Sequence, residues 1–110
     1  MHCAHFQAGR CQSCQWLAKP YAEQLQLKQQ HLLSLLSPFS PMTIWPPVAS
    51  QQQAFRYKAK MVALGTVEQP VLGIVNAKGE AVDLADCPLY PPAFTPAFAL
   101  CKAFIQRAKL

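Results

Sequence analysis

Acid is scarce in this chain: five Asp and Glu stand against ten Lys and Arg, a formal net charge of +5. The imbalance disfavours a polycationic partner and suits a polyanionic one without requiring it. Glycine is scarcer still. Gly9, Gly65, Gly73 and Gly79 are all there are, so no G-x-G loop is present to bind a nucleotide-type cofactor against a helix terminus. No stretch approaches the roughly 20 apolar residues of a membrane span, and Met1-His2-Cys3-Ala4-His5 lacks the charged and apolar regions of a secretory signal. The expectation is a cytoplasmic protein with no membrane partner. At 110 residues the chain has room for one ordinary domain and too little for two.

What it does have is cysteine. Five in a small chain, in a reducing compartment, point to metal ligands, catalytic groups or core residues before disulfides, and the odd number argues against a disulfide framework. Charge is also unevenly spread: residues 1–60 hold six of the basic residues and one acid, Glu23, whereas Glu68, Glu80, Asp83 and Asp86 cluster later. A basic surface is therefore expected on one side.

The pattern of apolar residues predicts an α+β fold, a small antiparallel β-meander packed with two helices and preceded by a cysteine-rich amino-terminal loop. Residues 1–18 show no sustained period and read as a loop organised by whatever the cysteines bind. Pro20 suits a first helical turn, and Tyr21, Leu25, Leu32, Leu33 and Leu36 form one apolar stripe, predicting a helix over 19–37 that Pro38 stops. Residues 38–54 contain Pro38, Pro41, Pro46 and Pro47 and read as an extended connection in which Ile44, Trp45 and Val48 could anchor to the core. Strict alternation over Phe55–Met61 predicts a half-exposed strand, with Phe55 and Tyr57 inward and Arg56, Lys58 and Lys60 outward. Further strands are expected near 71–75 and 81–84, giving an antiparallel set over 55–84. Thr95 and Pro96 predict the start of a closing helix over 95–109, with Phe98, Cys101 and Ile105 on its inner face.

The cysteines are spaced Cys3-x7-Cys11-x2-Cys14, then 72 residues, then Cys87-Pro88. Two residues between cysteines let both thiolates turn toward one metal. A zinc ribbon would supply a second C-x-x-C, which is absent, and a redox dithiol would open a helix after a strand, which this pair does not. Three clustered cysteines and one distant Cys-Pro suit an iron–sulfur site, a [4Fe-4S] cluster held by Cys3, Cys11, Cys14 and Cys87. Structural zinc and metal-free thiols remain alternatives. Cys101 reads as core, and His2 and His5 as solvent-exposed loop histidines. Arg56, Lys58 and Lys60 are candidates to meet RNA phosphates, against the plainer reading of a solvated strand face. Trp16 and Trp45 read as packing around the cysteine site, with base stacking the lesser use.

The cysteine motif, Phe55-Arg56-Tyr57-Lys58-Ala59-Lys60-Met61 and Asp86-Cys87-Pro88-Leu89-Tyr90 together resemble the bacterial 23S rRNA (uracil-C5)-methyltransferases, of the type that begins at the cysteine motif without a preceding RNA-binding TRAM domain. The resemblance covers essentially the whole chain. It implies that Cys3, Cys11, Cys14 and Cys87 are [4Fe-4S] ligands in a domain that helps present 23S rRNA. It further implies that S-adenosylmethionine and the nucleophilic cysteine belong to a catalytic domain absent from this sequence. On that basis no residue here is expected to be catalytic, and the chain alone is expected to be inactive. The competing functions are an independent iron–sulfur redox protein and a zinc-stapled interaction module.

Overall fold

A computed structural model describes residues 1–40 and 43–110; Pro41, part of the Pro-rich connection, lies outside the described residues. In chain order come a four-residue helix α1 (Ala4–Gln7), a long helix α2 (Tyr21–Leu36) running into a 3-10 turn at Ser37–Phe39, strands β1 (Val62–Gly65), β2 (Pro70–Val75) and β3 (Ala81–Asp83), and helix α3 (Phe94–Ala108). The strands form one antiparallel sheet in the order β1-β2-β3, a small α+β fold. None of the described helices is long and apolar enough to cross a membrane.

Two glycines set the sheet. Val62 pairs with Gly73 and Gly73 with Asp83, and a Cβ on Gly73 would lie 1.8 Å from the Val82 carbonyl oxygen, so β3 approaches β2 this closely only because position 73 has no side chain. Gly65 takes φ +80 where the β1–β2 turn begins, a conformation open to glycine at little cost. Asn76 organises the next turn: its side-chain oxygen accepts from the backbone of Lys78 and Glu80.

The buried core is small, Val82, Leu84 and Phe98. It is extended by Tyr90, Phe94 and Phe98, whose rings sit 5.5–5.9 Å apart, one pair stacked and two edge-on. An ion pair of Lys102 with Asp83 ties α3 to β3. The Cα radius of gyration is 18.3 Å, against about 13 Å for a compact domain of this length. The outer half of α2 carries Leu32, Leu33 and Leu35 in the open, and Phe39, Trp45 and Val48 beyond it are more exposed still.

Several expectations are corrected. Phe55–Met61 belongs to no strand; the sheet starts at Val62. Instead of pairing with β2, this segment turns aside to follow the Cys87 region, with the amide of Ala54 donating to the Pro88 carbonyl and that of Arg56 to the Leu89 carbonyl, both at 2.9 Å. Alternation reports side-chain environment, not which backbone supplies the hydrogen bonds. With no sheet behind them, Phe55 and Tyr57 are 45% and 76% exposed rather than inward. Trp45 is 83% exposed and does not pack on the cysteine loop. Cys101 is exposed as well, because the inner stripe of α3 runs through Phe94, Phe98, Lys102 and Ile105 and leaves position 101 at its edge. Helix α3 begins at Phe94 with no side-chain cap, one residue before Thr95. The backbone amides of Phe94 and Thr95 are taken up instead by the carbonyls of Pro91 and Pro92.

Candidate metal centre

Each cysteine is positioned by a local backbone device. Cys3 stands at the head of α1. The chain then reverses at Gly9, φ +72, and the His5 carbonyl accepts from the amides of both Arg10 and Cys11, at 2.9 and 3.3 Å, which folds Cys11 back over α1. Beyond it the Leu17 amide donates to the Cys14 carbonyl at 2.9 Å. Cys87 sits between two tight turns, its amide donating to the Leu84 carbonyl and its carbonyl accepting from Tyr90. Leu84 is itself held to β2 through the Leu72 carbonyl at 2.9 Å, so the sheet fixes the distant cysteine.

These devices bring Cys3, Cys11, Cys14 and Cys87 around a single cavity of about 130 Å³, all four half-buried. Two hydrogen bonds that sequence reasoning missed brace the arrangement. His5 Nε2 meets Asp86 Oδ1 at 2.7 Å across 81 residues of sequence, and the Asn76 side chain donates to the Arg10 carbonyl at 3.2 Å. His5 Nδ1 also accepts from Arg10 at 3.3 Å. His5 is therefore a half-buried brace with both ring nitrogens engaged, not an exposed loop histidine. The His5 hydrogen bond is the main cause that holds the Asp86 carboxyl below its ordinary range, against the opposing effect of burial. Separation in sequence hid both links; only Asp86 beside Cys87 hinted at either.

Burial pushes the thiols of Cys14 and Cys87 up, and the neighbouring cysteines push them further. The Arg56 guanidinium opposes this at both sites, and a hydrogen bond from the Leu89 backbone does so at Cys87. Without a cation the Cys14 and Cys87 sulfurs therefore favour the neutral thiol, and a bound cationic group is what would hold them as thiolates. Arg56 and Lys60 border the cavity, whereas Lys58 is exposed away from its lining. Among the described residues, no three His, Cys, Asp or Glu side chains are gathered closely enough to hold one metal ion.

No family model matches the chain, and no solved structure matches it. Among curated proteins it is similar to the 23S rRNA (uracil(747)-C(5))-methyltransferase RlmC of Pectobacterium atrosepticum, 56% identical over 110 residues. It is likewise 57% identical over 111 residues to that of Photorhabdus laumondii and 54% over 110 residues to that of Yersinia pestis. Each alignment takes in 100% of this chain and 29% of the relative. From its first residue to its last, the chain is thus similar to the amino-terminal 29% of RlmC-type 23S rRNA (uracil-C5)-methyltransferases.

Proposed function

We propose that the chain is the amino-terminal, cluster-bearing and RNA-contacting part of a cytoplasmic 23S rRNA (uracil-C5)-methyltransferase. The methyl donor, S-adenosylmethionine, and the catalytic residues would belong to the rest of that enzyme, which makes the catalytic domain and 23S rRNA the partners of this part and leaves it inactive alone. The observation that carries this reading is the convergence of Cys87 with Cys3, Cys11 and Cys14 on one cavity, in a chain similar throughout to the start of RlmC enzymes.

Cys3, Cys11, Cys14 and Cys87 would hold a [4Fe-4S] cluster, whose charge would keep four thiolates together in a half-buried site. The donor chemistry fits: four thiols and no carboxylate border the cavity, with His5 committed to Asp86 and Arg10. With all four thiolates committed, the group is a structural clasp rather than a reaction centre. Arg56 and Lys60 would offset the negative charge of the ligand set, and Lys58, with the exposed side of the 56–60 segment, would meet RNA phosphates. Anaerobic purification followed by metal and sulfide analysis tests the cluster. About four iron and four sulfide per chain are expected, and a colourless protein with stoichiometric zinc contradicts the reading.

A further inference from the structure

On the other side of the cysteine loop lies a second and larger concavity, a cleft of about 630 Å³, within the roughly 300–1,000 Å³ usual for small-ligand sites. Cys14 borders both spaces, so the loop is a shared wall. The cleft is a built feature, because both of its sides are fastened to the first turns of α2. Gln24 Nε2 donates to the carbonyls of Trp16 and Lys19 at 3.0 and 3.1 Å, which fixes the wall carrying Trp16. The Tyr21 hydroxyl accepts from the Ser50 amide at 2.9 Å, which fixes the opposite wall carrying Gln51 and Gln52.

Its chemistry is consistent across the lining. Trp16 supplies a flat aromatic surface, Lys19 and Lys28 supply charge, and Gln51 and Gln52 supply amides that both donate and accept; no carboxylate borders the cleft. Lys28 Nζ rests 5.9 Å from the Trp16 ring centroid. Glu23 is the nearby acid, 3.6 Å from Lys19 in an exposed pair, a kind of contact that yields readily to a stronger anion.

We infer that this cleft holds a single-stranded RNA segment, one base stacked on Trp16 with its edge toward Gln51 and Gln52 and the adjoining phosphates on Lys19 and Lys28. Stacking needs a base whose face is free, which a duplex does not offer and a splayed single strand does. On binding, Lys28 exchanges the face of the indole for a phosphate, so the ring and the cation are used separately instead of on each other. The inference rests on the RNA-contacting reading above and gives that contact a location distinct from residues 56–60.

The test is equilibrium binding of a labelled single-stranded oligouridine to the metal-loaded chain, with an RNA duplex of equal length as comparison. Replacement of Trp16 by Ala is expected to weaken single-strand binding about tenfold, with Trp16→Phe restoring most of it. Joint replacement of Lys19 and Lys28 by Gln, exposed positions whose loss leaves the fold intact by circular dichroism, is expected to reduce the log–log salt slope by about 1.4, while Trp16→Ala leaves that slope unchanged. Duplex should bind more weakly and respond little to Trp16. If single-strand binding ignores Trp16, Lys19 and Lys28 but falls on replacing Arg56, Lys58 and Lys60 by Gln, the cleft assignment is wrong and the RNA-contacting function stands. If the loaded chain binds neither RNA, the functional reading fails and the cleft assignment with it.

Discussion

The two ends of this molecule are held together by different physics. The sheet and α3 are joined by a conventional, if small, hydrophobic core of Val82, Leu84 and Phe98 with Tyr90 and Phe94 stacked beside it. The amino-terminal loop buries no apolar side chain fully; single hydrogen bonds, His5 to Asp86 and Asn76 to Arg10, join it to the sheet region, and the proposed cluster would add four thiolates around one cavity. A core is assembled from many small contacts and degrades gradually. A clasp has few members, and each one counts.

For the proposed metal-loaded form the contrast is sharpest on removing the metal. Chelation of the loaded protein is expected to lower its thermal midpoint by roughly 10–20 °C, with the loss of protection confined at first to residues 1–18. Simultaneous, equal loss across the sheet would show that the two ends are not distinct. Within the sheet, Gly73→Ala forces a Cβ into the Val82 carbonyl. It is expected to cost about 3 kcal/mol in a chemical denaturation midpoint, and to loosen Cys87 as well, since Leu84 connects that cysteine to β2. His5→Ala removes one brace to a mostly exposed carboxylate; about 1 kcal/mol is expected, seen as faster amide exchange in α1 and not in β1–β3. Cys101→Ser should change stability by no more than about 0.5 kcal/mol and leave the metal content per chain unchanged, because that side chain is exposed. A large effect there would return it to the core or to the ligand set.

Legibility in the sequence follows the same division. The β2–β3 hairpin was readable because turn residues and apolar runs are local: Asn76 and Gly79 lie between Pro70–Val75 and Ala81–Asp83. Helix α2 was readable from its spacing and from Pro20 and Pro38. The 55–61 segment misled because alternation carries no information about a hydrogen-bonding partner, and the partner is the Cys87–Leu89 turn rather than a neighbouring strand. Cys101 misled because helical spacing locates a stripe to within one position, and the stripe is centred on Phe98. The convergence of the four cysteines was expected from chemistry, not from any folding signal, and the brace from His5 to Asp86, 81 residues apart, left no trace in local pattern. The cleft beside Trp16 likewise depends on Tyr21 and Gln24 reaching across to other segments.

The claim on which the rest depends is that Cys87 clasps the amino-terminal loop to the sheet through a shared metal group. Hydrogen exchange of residues 3–17 in metal-loaded protein, compared between the parent chain and Cys87→Ser, tests it most directly. Protection of that loop should vanish in the variant while β2 and β3 stay protected; a loop that remains protected without Cys87 would contradict the clasp.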